Sequence, residues 1–317
     1  MKRKMLNRTI GAALAASLLF GNAAALAAEK SASKPPNWLI DLNGGDWTQN
    51  TEQQEDAKPP RKNMKVPILL YHHITDEAFS GGNEISLISP YDFRMHMTAI
   101  KVNFTPISLR RYYQYVTCTD GSVTLPDNPI IVTFDDGYLS NYEIAYPILK
   151  ELEIPATIFV VTDTVGAMAG DGKVNYSHFT WEQAKEMERS GLIEIQSHTA
   201  SHVELASLPQ EQLVLQLRKS KYMIEKNLGR PCDMIAFPYG SYTESVVNAS
   251  KAAGYLLQAR VDDKTSEEDF EVNLPSEGVD GLTRMTISGT MGNVNVIEIV
   301  RRAMAKKVVP TLDGWES

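Results

Sequence analysis

The sequence predicts an α/β fold whose parallel strands curl into a deformed (β/α) barrel of about seven strands, and three observations carry that expectation. From Val66 onward, short apolar runs alternate with amphipathic stretches, the signature of βα units rather than of hairpins. About seven runs can be picked out, close to the eight of a complete β/α barrel. The helical stretches between the later runs carry their own start and stop signals.

Taken in order, the chain opens with Lys2, Arg3, Lys4 and Arg8, followed by an uncharged Ala/Leu-rich run from Thr9 that closes on Ala25-Leu26-Ala27. A basic start, an apolar middle and an A-x-A end read as a secretory signal peptide over residues 1–27. The alternative is an uncleaved anchor, because the uncharged run is nearly long enough to span a bilayer. Residues 28–64 are polar and broken, rich in Pro, Gly, Gln and mixed charge, as in a linker or loosely docked arm. Trp38 and Trp47 lie within it and are expected to fold back on the body rather than stack on sugars.

Residues 65–317 form the expected catalytic domain. Its strands are read at "VPILLYHHI", "IIVTFDD", "PATIFVV", "LIEIQSH", "MIAFPYG", "YLLQARV" and "LTRMTIS". The clearest helix is "SLPQEQLVLQLRKSKYMIEKNLG", with Ser207 and Gln210 placed as a capping box and Gly229 as its stop. "FTWEQAKEMERSG" and "YTESVVNASKAAG" end the same way. At 317 residues and 43% hydrophobic, the chain can bury a sizeable core.

Charge narrows the function classes. The first 27 residues hold four basic side chains and no acid, so removing them takes the formal charge from −8 to −12. That argues against nucleic acid, which needs a basic face, and tolerates neutral or cationic polymers. Cys118 and Cys232 allow at most one disulfide in an exported protein and do not resemble a metal site.

The chemistry gathers at strand ends, where β/α barrels carry their function. In "IIVTFDDGY" a buried strand runs directly into Asp135 and Asp136. In "IEIQSHTASH" another runs into His198 and His202, four apart, which a helical turn would point the same way. Two imidazoles and one carboxylate suit a hydrolytic zinc. A single ion does not need both aspartates, so one is expected to ligate while its neighbour takes a proton from the attacking water. His96, in a predicted helix, reads as packing or surface; His178 reads as part of a substrate-side loop.

At these residues the sequence resembles a known family. "TFDDG", "SHTASH" and "FPYG" are similar to the first three motifs of the polysaccharide deacetylases, the NodB-homology or family-four carbohydrate esterases, over Val66 to about Lys306. The resemblance implies hydrolysis of N-acetyl groups on aminosugar polymers with Zn²⁺, or another divalent ion such as Co²⁺ or Ni²⁺. It implies Asp135 as general base, Asp136, His198 and His202 as metal ligands, and the Tyr239 N–H as an oxyanion donor. Two departures stand out. Ala236 occupies the place of an arginine that usually orients the base, and no histidine follows His202 to act as acid, the matching stretch reading Leu282-Thr283-Arg284.

"VPILLYHHIT" with "ISPYDFRMHMTAIKVNFTPISL" resembles the opening of the circularly permuted exopolysaccharide deacetylases of biofilms. That branch implies His72 as the proton donor, and Arg284 then stands in for the arginine missing at Ala236. His73, one place along, is expected to face the other way, unless a kink at the strand end exchanges the two. Leu282 is expected to help line an acetyl pocket. The implied substrate is poly-β-1,6-N-acetylglucosamine, with peptidoglycan, chitin oligomers or a small amide as alternatives, and a non-catalytic glycan-binding protein on the same fold as the rival class. Export is expected, to the periplasm, the cell wall or the medium.

Overall fold

The computed structural model describes residues 64–76, 87–170, 175–261, 270–287 and 296–306. The predicted signal peptide and nearly all of the predicted arm lie outside the described residues. Among the described residues no helix is long and apolar enough to cross a membrane.

All seven predicted runs form strands: β1 (Ile68–Tyr71), β2 (Pro129–Phe134), β3 (Ala156–Val160), β4 (Ile193–Ser197), β5 (Met234–Ala236), β6 (Leu257–Ala259) and β7 (Met285–Thr286). They pair in the order β6-β5-β4-β3-β2-β1-β7, every pairing parallel. The sheet curls back on itself through the segment before β7. Leu282 bridges Ala259 of β6, with hydrogen bonds from Arg260 N–H to Leu282 C=O (2.9 Å) and from Leu282 N–H to Gln258 C=O (2.8 Å). Three residues on, Met285 pairs with Leu69 of β1. One short stretch therefore touches both edges of the sheet.

The alternation of side chains along each strand sorts the core into two clusters. Leu69, Tyr71, Val132, Phe134, Ile158 and Ile235 belong to the larger one, together with Phe93 and Met97 of α1 (Pro90–Asn103) and Leu213 and Leu217 of α5 (Gln210–Leu228). Their neighbours Ile68, Ile131, Phe159 and Ala236 join Leu282 and the apolar side of α2 (Leu109–Thr117) in the smaller one. Thr133, between Val132 and Phe134, shares the face of Ile131, so the next residue on that face is Asp135.

The helices follow α1 and α2 as α3 (Tyr146–Glu151), α4 (Trp181–Arg189), α5, α6 (Glu244–Ala252) and α7 (Val296–Ala305). Capping explains their boundaries. Ser89 caps α1 by accepting from Asp92 N–H, and Pro90 fills the first position, where its missing donor costs nothing. Gly229 ends α5 in the left-handed conformation at φ 71°, as expected. The capping box expected at Ser207 and Gln210 is absent. Pro209 occupies the cap without a side-chain bond, and the Ser207 hydroxyl turns back to Glu204 C=O. The reciprocal box lies instead at Thr180 and Gln183 of α4. The two cysteines are unpaired, Cys232 being buried in the larger cluster.

Candidate active site

The chain places the predicted residues at the C-terminal end of the sheet. Asp135 directly follows β2, and its N–H donates to Tyr71 C=O (3.0 Å), continuing the ladder by one step. Asp136 then takes a left-handed backbone (φ 68°), followed by Gly137 at φ 80°. Two such residues in a row make a sharp corner that separates the adjacent carboxylates. A Cβ on Gly137 would meet Val160 Cγ1 at 3.0 Å in a backbone region that favours glycine. Gly137→Ala is therefore expected to cost about 1–3 kcal/mol of stability, from overpacking and from the left-handed backbone, measured by urea unfolding.

His198 and His202 converge, though not through a helical turn. His198 follows β4, Thr199 takes φ 69° and His202 φ 55°, so the chain doubles back through left-handed corners. The result is the expected convergence by another route. His198 Nε2 lies 3.7 Å and His202 Nε2 3.5 Å from the same oxygen, Asp136 Oδ1. His198 Nδ1 donates to Ala236 C=O (2.9 Å), and His202 Nδ1 bonds the Tyr239 hydroxyl (3.1 Å). With Nδ1 engaged on each ring, both Nε2 atoms are left facing the carboxylate. The ligand atoms of Asp136, His198 and His202 all lie within 4.8 Å of one another. Two imidazoles and a carboxylate match the donor chemistry of zinc and similar divalent ions.

Electrostatics divide the two aspartates. Asp135 is 2% exposed and receives both arms of Arg284, Nη1 on Oδ1 and Nη2 on Oδ2, each at 2.7 Å. Burial alone would raise its carboxyl, but the Arg284 charge, helped by His198 and His72, outweighs that and holds it well below the usual range. Asp136 is also held down against burial, here by His202, His198 and His72. Burial lowers His198 to about 4, against the opposing pull of Asp135, so the ring is neutral at pH 7.

Arg284 reaches Asp135 from below. It lies one residue before Met285, which pairs with Leu69, whereas Asp135 follows Phe134, which pairs with Tyr71. Its fully buried guanidinium passes the Phe159 ring (5.3 Å to the centroid) and Nε donates to Arg260 C=O (3.2 Å). The methyl of Ala236 sits in the smaller cluster with Phe159.

The two adjacent histidines have different surroundings. His72 falls in the break between β1 and the two-residue strand His73–Ile74. Its C=O accepts from Asn141 Nδ2 (2.7 Å), and its ring feels both aspartates. The His72 Nδ1 is buried without a hydrogen-bond partner among the described residues. Burial lowers its pKa, and the two carboxylates oppose that. His73 instead bonds Ser140 Oγ (2.8 Å) and packs on Tyr138 and Tyr176, with centroids 5.0 and 4.4 Å away. His178 stacks on Tyr138 in the same aromatic group. His96 bonds the hydroxyl of buried Tyr71 (3.3 Å), a packing role.

Tyr239 lies in the left-handed region (φ 58°), the residue is 62% exposed, and its N–H donates to no group of the described chain. Leu282 is buried in the smaller cluster. The Tyr239 hydroxyl on His202 escaped the sequence reading, which gave that residue a role for its backbone alone.

A curled parallel barrel with carboxylates and imidazoles gathered at its strand ends defines a hydrolase-like β/α protein. Residues 122–257 match the polysaccharide deacetylase family. YxkH of Bacillus subtilis (strain 168), itself assigned to the polysaccharide deacetylases, is 30% identical over 236 residues, covering 73% of this chain and 74% of its own. The poly-β-1,6-N-acetyl-D-glucosamine N-deacetylase of Staphylococcus aureus (strain MSSA476) is 30% identical over 147 residues, 44% of this chain and 50% of its own. Among solved structures, the Streptococcus pyogenes deacetylase PplD in complex with acetate shares the fold. Its TM-score is 0.62 at 24% identity, over 75% of this chain and 98% of that one. The chain belongs to the polysaccharide deacetylase family.

Proposed function

We propose that this protein is an exported, divalent-metal-dependent N-deacetylase of N-acetylglucosamine polysaccharide, with poly-β-1,6-N-acetylglucosamine as its substrate. The observation that carries the proposal is the buried Asp135–Arg284 pair standing beside the Asp136, His198 and His202 cluster. The substrate rests on the relative from S. aureus and on the "YHHI" opening. Export rests on the basic-apolar-A-x-A start.

Asp136, His198 and His202 would hold the ion, zinc being the best match to their donors. Asp135 is the general base: Arg284 uses one lone pair on each of its oxygens, and the others remain free to take a proton from the attacking water. A carboxyl held this low is a weak base toward ordinary water; a divalent ion held by Asp136, His198 and His202 would supply the acidified water and carbonyl polarisation that this base needs. Tyr239 N–H, without a partner among the described residues, donates to the developing oxyanion. His72 gives its proton to the departing amine from its protonated form, which burial makes the minor one and the two carboxylates help to retain. Acetate and a free glucosamine amine result.

The test is acetate release from poly-β-1,6-N-acetylglucosamine oligomers by the purified protein, before chelation, after it, and after zinc is restored. Activity lost to the chelator and returned by zinc is the expected result. Release only from peptidoglycan or chitin oligomers would reassign the substrate. Silence on all three with zinc bound would favour a glycan-binding protein.

A further inference from the structure

The two imidazoles that face Asp136 are secured in unlike ways. His198 is 3% exposed, and its Nδ1 is tied to the backbone carbonyl of Ala236, which no side-chain change can remove. The His202 side chain is 31% exposed and stands on a left-handed turn. Its Nδ1 is engaged by one side-chain group, the Tyr239 hydroxyl at 3.1 Å, and the Tyr239 ring packs on it with centroids 4.7 Å apart. A partly exposed imidazole without such a partner is free to rotate or to place its proton on either nitrogen. Fixing Nδ1 fixes both the ring and the tautomer, and leaves Nε2 as the acceptor aimed at Asp136.

We propose that the Tyr239 side chain is a positioning residue of the metal centre, its hydroxyl holding His202 in the tautomer and orientation that present Nε2 to the ion. This is separate from the part given to the Tyr239 backbone N–H, and it rests on the metal reading above. The hydroxyl accepts from Nδ1–H, as the outer partners of metal-bound histidines commonly do. Because the tyrosine is largely exposed, its hydroxyl can be removed without opening the core, and Tyr239→Phe keeps the ring, the turn and the backbone donor.

The experiment is a double-mutant cycle on metal affinity in the full chain, read with a competing chelator and by the visible spectrum of the cobalt-loaded protein. Thermal unfolding checks the fold of each variant. Tyr239→Phe is expected to weaken zinc binding about 10- to 100-fold and to change the cobalt absorption. His202→Ala is expected to weaken binding further. The double variant should bind no worse than His202→Ala, because the hydroxyl acts only through that ring. Unchanged affinity and spectrum in Tyr239→Phe, or losses that add in the double variant, would overturn the inference while leaving the metal centre standing. A parent chain that binds no divalent ion would overturn both.

Discussion

Arg284→Ala is expected to cut turnover by about 100-fold or more and to cost about 3–5 kcal/mol of stability. The stability loss follows from burial. Asp135 and Arg284 are 2% and 0% exposed, and removing the cation strands a carboxylate inside the barrel. The loss of turnover follows from position, since two bonds of 2.7 Å fix the orientation of Asp135 and misplacing a catalytic group by about 1 Å can cost 100-fold. The pH dependence carries the sign. With Arg284 present the folded carboxyl lies below its unfolded value, so the pair stabilises the fold above the unfolded pKa and that stability is lost as pH falls through the depressed one. Without Arg284 burial dominates, the folded value rises above the unfolded one, and the variant loses stability as pH rises through it. Urea unfolding at several pH values should therefore show the gap between parent and variant narrowing toward acid. Full turnover in Arg284→Ala would remove the positioning role.

Much of this was legible in the sequence because it is local. Buried parallel strands are continuous apolar runs, and all seven were found by that character. Asp135, Asp136, His198 and His202 were legible because each pair directly follows such a run. Arg284 was legible only as a substitute for what Ala236 lacks; its path past Phe159 depends on β7 lying between β1 and β6, which no local pattern encodes. The left-handed corners at Thr199 and His202 were not legible, since the β-branched Thr199 disfavours that conformation, His202 only tolerates it, and the surrounding fold imposes it. The misplaced capping box has a similar cause. Ser207 and Gln210 have the right spacing, but Ser207 is spent on its own 3₁₀ turn, Leu205–Ser207, and Pro209 takes the cap position. The Tyr239–His202 bond joins residues 37 apart and needed the fold.

His72→Ala is expected to lower turnover on the N-acetyl substrate by about 100- to 10,000-fold, the range for losing a positioned acid, with metal affinity unchanged. The His72 Nδ1 is buried with no hydrogen-bond partner among the described residues, so the ring is not committed to a bond within the described chain. Its carbonyl is tied to Asn141, in the π-turn Asn141–Ala145 that follows the aspartate motif, so the residue is fixed by the same segment that carries the base. His73→Ala should behave in the opposite way. It loses the Ser140 bond and the contacts with Tyr138 and Tyr176, so it should cost about 1–3 kcal/mol of stability while turnover of the folded fraction persists. The two roles separate further on an activated aryl acetate ester. Its phenolate departs without a proton, so His72→Ala should be far less impaired on the ester than on the amide, whereas Asp135→Asn should fail on both. If His73→Ala showed the amide-selective loss and His72→Ala did not, the proton donor would be the other histidine, and the strand break at His72 would be a structural kink only.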